Sequence, residues 1–261
     1  MGASTHQAPS LRLEGERKGS GRGIPPTRIA QERLEDRQEE TMPDLNTTLH
    51  LDMLNSFRRK SKLLPRLLKV LKRELLSNGI YGLEWGDPEV VAPLKFIRNR
   101  YVLPYVNNEH VAVEIGPGGG RWTRYLLGFK KLYVVDYHVE LLNELKKTFQ
   151  KSNIEFVNNN GTDFPDVQQY SIDYLFSFGT FVHLDMHIIE AYLANMKPIL
   201  KFGANVIIQY SDKTKIMAQI NEGFSDNTPD KMRAMILGAG YKVIEEDLTT
   251  MWHSSIIHFT V

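Results

Sequence analysis

The spacing of apolar residues changes character along this chain, and each change marks an element. Up to about residue 45 they are scattered: Leu11, Leu13 and Ile29 stand among Gly, Pro, Ser and charges of alternating sign. Such a stretch cannot bury enough surface to offset the entropy of ordering, so residues 1–45 read as a disordered extension. Met42, just before the first plausible folded segment, is a candidate alternative start of translation. From residue 49 to 76 the pattern becomes helical, with Leu63, Leu64, Leu67, Leu68, Leu71 and Leu75 recurring at intervals of three and four. Arg58, Arg59, Lys60, Lys62, Arg66, Lys69, Lys72 and Arg73 fill the gaps. This predicts a lid helix whose leucines pack on the domain. Its basic face, over 58–73, would be open to a membrane surface or an acidic partner. The run YGLEWGDPE at 81–89 is rich in turn residues, and Pro88 and Pro93 limit regular structure. Residues 46–100 therefore read as helical lid and linker, ahead of a domain over 101–261.

Beyond residue 110, short apolar runs alternate with helical periods. Strands are expected at 111–115, 131–135, 154–157, 172–177 and 205–210. Helices are expected near 121–128, 138–150 and 187–197, and from the N-cap residue Thr228 with Pro229 in the first turn. YKVIEED and SSIIHFTV then follow one another with no helix between them. Strand–helix alternation predicts a mainly parallel α/β sheet covered on both faces, and the ending predicts an antiparallel hairpin at one edge.

Composition narrows the function classes. A chain of 261 residues, 42% of them hydrophobic, can build one substantial core. The net charge of +1 gives no global pull toward nucleic acid, and no nucleic-acid partner is expected. Cysteine is absent, which removes disulfides, thiolate nucleophiles and cysteine-based zinc sites together. The N-terminus is too polar for a secretory signal, and His6 stands where N-myristoylation wants serine or threonine, so a cytoplasmic location is expected.

The most informative run is VAVEIGPGGGRWTRYL, residues 111–126. An apolar strand runs into glycines, the residue that lets a backbone turn tightly and approach a ligand closely. A dinucleotide fingerprint spaces its glycines at the first, third and sixth positions. Here Gly116, Gly118 and Gly120 stand at the first, third and fifth, with Arg121 at the sixth. Glu114 would repel a pyrophosphate and welcome a cation. The run E-I-G-P-G-G-G resembles motif I of the class I S-adenosylmethionine-dependent methyltransferases, and the closing hairpin resembles their Rossmann-like seven-stranded sheet.

That resemblance implies S-adenosyl-L-methionine as cofactor and assigns roles to the strand ends. Asp136, closing L-Y-V-V-D, would accept from the ribose hydroxyls. Asp163 and Phe164 would hold the adenine, while Ser177, Phe178 and Gly179 would line the methionine pocket. His183 and Asp185 follow, where an acceptor must approach, and an acceptor hydroxyl needs its proton removed. His183 is the candidate base because its unperturbed pKa suits the task, with Asp185 as orienter or alternate base. A metal set of His183, Asp185 and His187 is the weaker reading, since a third strong ligand is not evident.

On the acceptor side Tyr210, Ser211 and Asp212 end the fifth strand, and Phe224, Asp226, Asn227, Trp252 and His253 lie in later loops. Trp85 and Tyr81 are further candidates for cofactor or acceptor contact. Aromatic faces mixed with amides and carboxylates suit a sugar, so the expected activity is O-methylation of a small molecule or glycan hydroxyl. Two rivals remain. An RNA methyltransferase would need an extended basic surface, for which 58–73 is the candidate, and a silent domain would bind the donor without turnover.

Overall fold

A computed structural model describes Gly82 and residues 85–261. The extension at 1–45, the basic helix at 58–73 and Tyr81 lie outside the described residues.

Seven strands form one sheet: β1 (Val111–Ile115), β2 (Lys131–Asp136), β3 (Ile154–Asn158), β4 (Ile172–Ser177), β5 (Leu200–Ser211), β6 (Lys242–Asp247) and β7 (Ser254–Thr260). Their order across the sheet is β3-β2-β1-β4-β5-β7-β6. The first five are parallel, and β7 runs antiparallel to both β5 and β6. The expected hairpin is therefore present, with its second strand inside and its first at the edge. The sequence fits that inversion. SSIIHF in β7 is buried throughout, whereas the edge strand KVIEED carries the charges that discourage further pairing. Strand β5 starts earlier than expected because its register slips: Ile172 pairs with Leu200 but Tyr174 with Asn205, and Gly203 turns the intervening residues at φ 80°.

The helices are α1 (Ala92–Ile97), α2 (Thr123–Leu126), α3 (Val139–Thr148), α4 (Met186–Met196), α5 (Ile216–Gln219) and α6 (Pro229–Gly238). Pro93 starts α1 and does not disrupt it, since a first-turn residue needs no N–H partner. The chain stays coiled from there through a π turn at Arg98–Val102 and a 3-10 turn at Leu103–Tyr105. Helix α2 is shorter than expected, because Gly118 and Gly120, at φ 57° and 88°, hold the backbone in turns until Trp122. Helix α5 had no periodic signal at four residues.

Alternate residues of each strand feed two cores. Val113, Ile115, Val135, Leu175, Val206 and Ile208 pack against α4 and α6 through Ile188, Ile189, Leu193, Met232 and Ile236. On the other face Ala112, Leu132, Val134, Tyr174 and Phe176 meet Leu94, Ile97, Tyr101, Leu126 and Leu142. The parallel strands all end at one rim of the sheet. The order reverses between β1 and β4, which makes the ends of those two strands the switch point where open α/β sheets bind ligands.

Candidate functional site

Gly116 stands at the end of β1, where its N–H donates to the Val135 carbonyl at 2.9 Å and its φ is 67°. A Cβ there would overlap Thr180 Oγ1, which itself donates to the Gly116 carbonyl at 3.2 Å. At Gly120, φ 88°, a Cβ would overlap the ring of Phe149. Protein neighbours thus demand glycine at both positions, while Gly118 is required by its left-handed backbone. Gly116 thus lets the end of β1 approach the turn after β4, and Gly120 lets the following turn pack on the end of α3.

Two acids stand at this rim. Glu114 is 2% exposed and accepts a 2.6 Å hydrogen bond from Thr123 Oγ1. Burial pushes its carboxyl up to about 8, with the nearby charge of Asp136 adding to the rise. Asp136, also buried, accepts from the His138 backbone N–H at 2.8 Å and faces His138 Nδ1 at 3.1 Å. That hydrogen bond holds the His138 imidazole above its ordinary pKa. Buried acids at neighbouring strand ends fit a cationic ligand and oppose a pyrophosphate.

Asp163 lies at the turn after β3, where its Oδ1 accepts from the Asn160 N–H at 2.8 Å. The Phe164 ring is buried against Tyr192, with centroids 6.0 Å apart, so it belongs to the core more than to an open ligand face. Ser177 is fully buried and donates to the Ile115 carbonyl at 2.9 Å. Phe178 lies against Trp122 at 4.7 Å, with the Arg121 guanidinium 5.6 Å from its ring centroid. Gly179, at φ 89°, has nothing within 4 Å of where a Cβ would project, so the backbone there borders open space. Its N–H donates to Gln209 Oε1 at 2.7 Å, and Gln209 Nε2 donates to Ser254 Oγ at 2.7 Å. This buried bridge fixes the end of β4 to β5 and β7.

Beyond it, the 3-10 turn Phe181–His183 leads into α4. His183 Nδ1 lies 2.7 Å from the Gly223 carbonyl oxygen. A carbonyl only accepts, so Nδ1 carries the proton and in the neutral ring Nε2 holds the lone pair. Gly223 thus orients this nitrogen, and Asp185 stands at the N-cap position of α4. Phe224 meets the His183 ring edge-on at 5.3 Å and the His253 ring at 5.2 Å. Burial, and then the charge of Lys215, hold His253 below its ordinary pKa.

Two expected acceptor contacts are corrected. Tyr210 is fully buried within the core formed with Ile208, Met232 and Ile257. It sits on the face of β5 that meets α6. Asp212 is 1% exposed and its carboxylate is consumed internally, accepting from Ser255 Oγ at 2.6 Å and from the Thr214 N–H at 3.1 Å, with Lys215 Nζ at 3.5 Å. Trp85 and Trp252 are exposed, at 60% and 77%. His183, Asp185 and His187 do not gather into a metal set: among the described residues no group of three or more His, Cys, Asp or Glu could hold an ion. No helix among them is long and apolar enough to cross a membrane.

Thr123, Thr180, Gln209 and Gly223 are the site residues that sequence reasoning missed. Gln209 did leave a signal, as a lone amide inside the apolar run NVIIQY. Gly223 acts through a backbone oxygen and leaves none.

Residues 112–203 match a family model described as a methyltransferase domain. In fold the chain is similar to a SAM-dependent methyltransferase from Aquifex aeolicus, at 16% identity and TM-score 0.53, covering 75% of this chain and 98% of that one. It is likewise similar to an S-adenosylmethionine-dependent methyltransferase from Mesorhizobium loti, at 11% identity and TM-score 0.56, covering 66% and 99%. A third likeness is to DhpI, solved as its complex with SAH, at 18% identity and TM-score 0.52, covering 74% and 93%. No curated protein matches the chain in sequence.

Proposed function

We propose that this chain, which carries a class I S-adenosylmethionine-dependent methyltransferase domain, methylates a hydroxyl oxygen of a small molecule or glycan, with His183 as the base. The observation that carries the proposal is the contact between His183 Nδ1 and the Gly223 carbonyl. It fixes the tautomer, so Nε2 is the nitrogen that accepts the hydroxyl proton.

S-adenosylmethionine supplies an electrophilic methyl carbon on a sulfonium. Glu114 and Asp136 are the two acids that a cation would meet there: Glu114, held protonated by burial, can lose its proton to pair with the donor's charge, and Asp136 is assigned to the ribose hydroxyls. Asp163 and the backbone of Phe164 are assigned to the adenine, and the backbone of Ser177, Phe178 and Gly179 to the methionine part. The open space beside Gly179 supports a close approach there. With Tyr210 and Asp212 internal, recognition of the acceptor falls to His183, Phe224 and His253, whose rings form one continuous line.

The test is transfer of labelled methyl from the donor to a panel of alcohols, phenols and glycosides. Label in small hydroxyl compounds, strongly reduced in His183→Ala while S-adenosylhomocysteine still binds, is the expected result. Label found in protein or RNA instead would overturn the acceptor assignment.

A further inference from the structure

We infer that the acceptor carries an apolar body, and that α5 with Trp252 forms the rim that binds it. This deepens the reading above and rests on the acceptor hydroxyl lying beside His183. Helix α5 is turned the wrong way for a surface helix. Its small Ala218 is fully buried, whereas Ile216 and Met217 are 73% and 49% exposed and Ile220, just after it, 66%. Neighbouring apolar side chains left in water mark a binding surface more than a fold requirement.

The charges of the segment explain why the bound chemistry is apolar. Four charged side chains lie between residues 212 and 224, and three of them are spent internally. Lys213 Nζ donates to the carbonyls of Ala218 at 2.7 Å and Asn221 at 3.2 Å, at the end of α5. Lys215 Nζ donates to the Met251 carbonyl at 2.9 Å and the Ser254 carbonyl at 2.7 Å, beside the buried Asp212. The fourth, Glu222, is exposed and acidic. No cation of this segment is left to receive an anionic acceptor.

The rim is continuous with the candidate site. The Ser225 N–H donates to the Val182 carbonyl at 2.8 Å, tying the segment to the turn that bears His183. The ring contacts run from His183 through Phe224 to His253, and Lys215, next to Ile216, bonds the carbonyl of Met251, the residue before Trp252. Contacts to a non-reacting body can hold the hydroxyl in register at His183, binding energy spent on positioning.

The full-length chain loaded with S-adenosylhomocysteine is to be titrated calorimetrically with octyl β-glucoside and with methyl β-glucoside, below the micelle-forming concentration. Octyl glucoside is expected to bind at least about tenfold more tightly, with a negative heat-capacity change. The double variant Ile216→Ser/Ile220→Ser, and separately Trp252→Ala, should reduce it toward the methyl glucoside value, with S-adenosylhomocysteine affinity and thermal melting unchanged. Equal affinity for the two glucosides, or unaltered octyl binding in both variants, overturns the rim. Binding to phosphatidylcholine vesicles, or dimerisation, that the double variant abolishes would assign the surface to a lipid or a second copy and also overturn it. Octyl binding with the expected variant response but without methyl transfer to any hydroxyl keeps the rim and counts against the transfer reading.

Discussion

Thr123 Oγ1 donates a 2.6 Å hydrogen bond to Glu114, an acid buried under the end of β1. Burial raises the Glu114 pKa from 4.5 to about 8. Because the folded value lies above the unfolded one, the protonated acid favours the folded state fully below pH 4.5, and that contribution is lost as pH rises toward 8. A neutral amide escapes this loss. Glu114→Gln should match the wild type near pH 4.5 and exceed it by about 3 kcal/mol at pH 7 in ligand-free protein. The same change removes a group that can ionise to pair with a cationic donor, which an amide cannot do, so S-adenosylmethionine should bind about tenfold or more weakly. Urea unfolding across pH and calorimetric titration check the two effects, and parallel pH profiles for both proteins would refute the first.

His183→Ala should lower turnover by about 10²- to 10⁴-fold, the range for losing a general base, with donor affinity retained. The pH profile separates proton transfer from packing. The wild type should show an acidic limb that is absent from the residual activity of the variant. An identical acidic limb in both would exclude His183 as the titrating group.

Substitutions at Gly116 and Gly179 should differ although both lie at positive φ, 67° and 89°. Gly179→Ala meets no atom within 4 Å and should cost only the backbone strain, about 1–2 kcal/mol. Gly116→Ala adds overlap with Thr180 and should cost clearly more. Denaturant midpoints rank the two, and an equal loss would mean the β1–β4 approach relaxes freely.

Gln209→Leu should destabilise by about 1–3 kcal/mol, because it leaves the buried Ser254 hydroxyl without its donor and breaks the half-buried Gly179 N–H bond. Donor affinity should fall as well, since Gly179 is then no longer fixed. Loss of stability with unchanged donor affinity would separate the bridge from the site.

Tyr210→Phe should leave the acceptor KM unchanged, as the ring stays within the core. Asp212→Ala should instead lower stability. Burial alone would raise the Asp212 pKa, but hydrogen bonds from Ser255 and Thr214 and the charge of Lys215 hold it below 3.8. The stability it contributes is present above pH 3.8 and lost as pH falls through the depressed folded value, so wild type and variant should converge in acid. A raised acceptor KM in Tyr210→Phe would return that residue to the site.

Much of the fold was legible because strand and helix periods are local. Strands β1 and β4 occupy the expected residues, 111–115 and 172–177, and the closing hairpin was plain from two apolar runs without a helix between them. What escaped depended on neighbours distant in sequence. The slip in β5 is set by pairing with β4, and the brevity of α2 by the turn at Gly120, packed on Phe149. Tyr210 and Asp212 show the same limit at the site. A strand end places residues near the rim, but with a period of two, facing the site or the core is decided by which helix covers each side.

By itself the sequence determined the α/β sheet, the glycine turn after β1 and the acids at the ends of β1 and β2. Apolar periodicity, glycine spacing and the acids Glu114 and Asp136 are all local properties of the chain. Only the tertiary structure decided which groups act together. His183 and Gly223 lie 40 residues apart, Gly179 and Gln209 lie 30 apart, and Lys215, just before α5, is bonded across to Met251 and Ser254. Those contacts join segments that carry no mark of one another until the sheet brings them to the same edge.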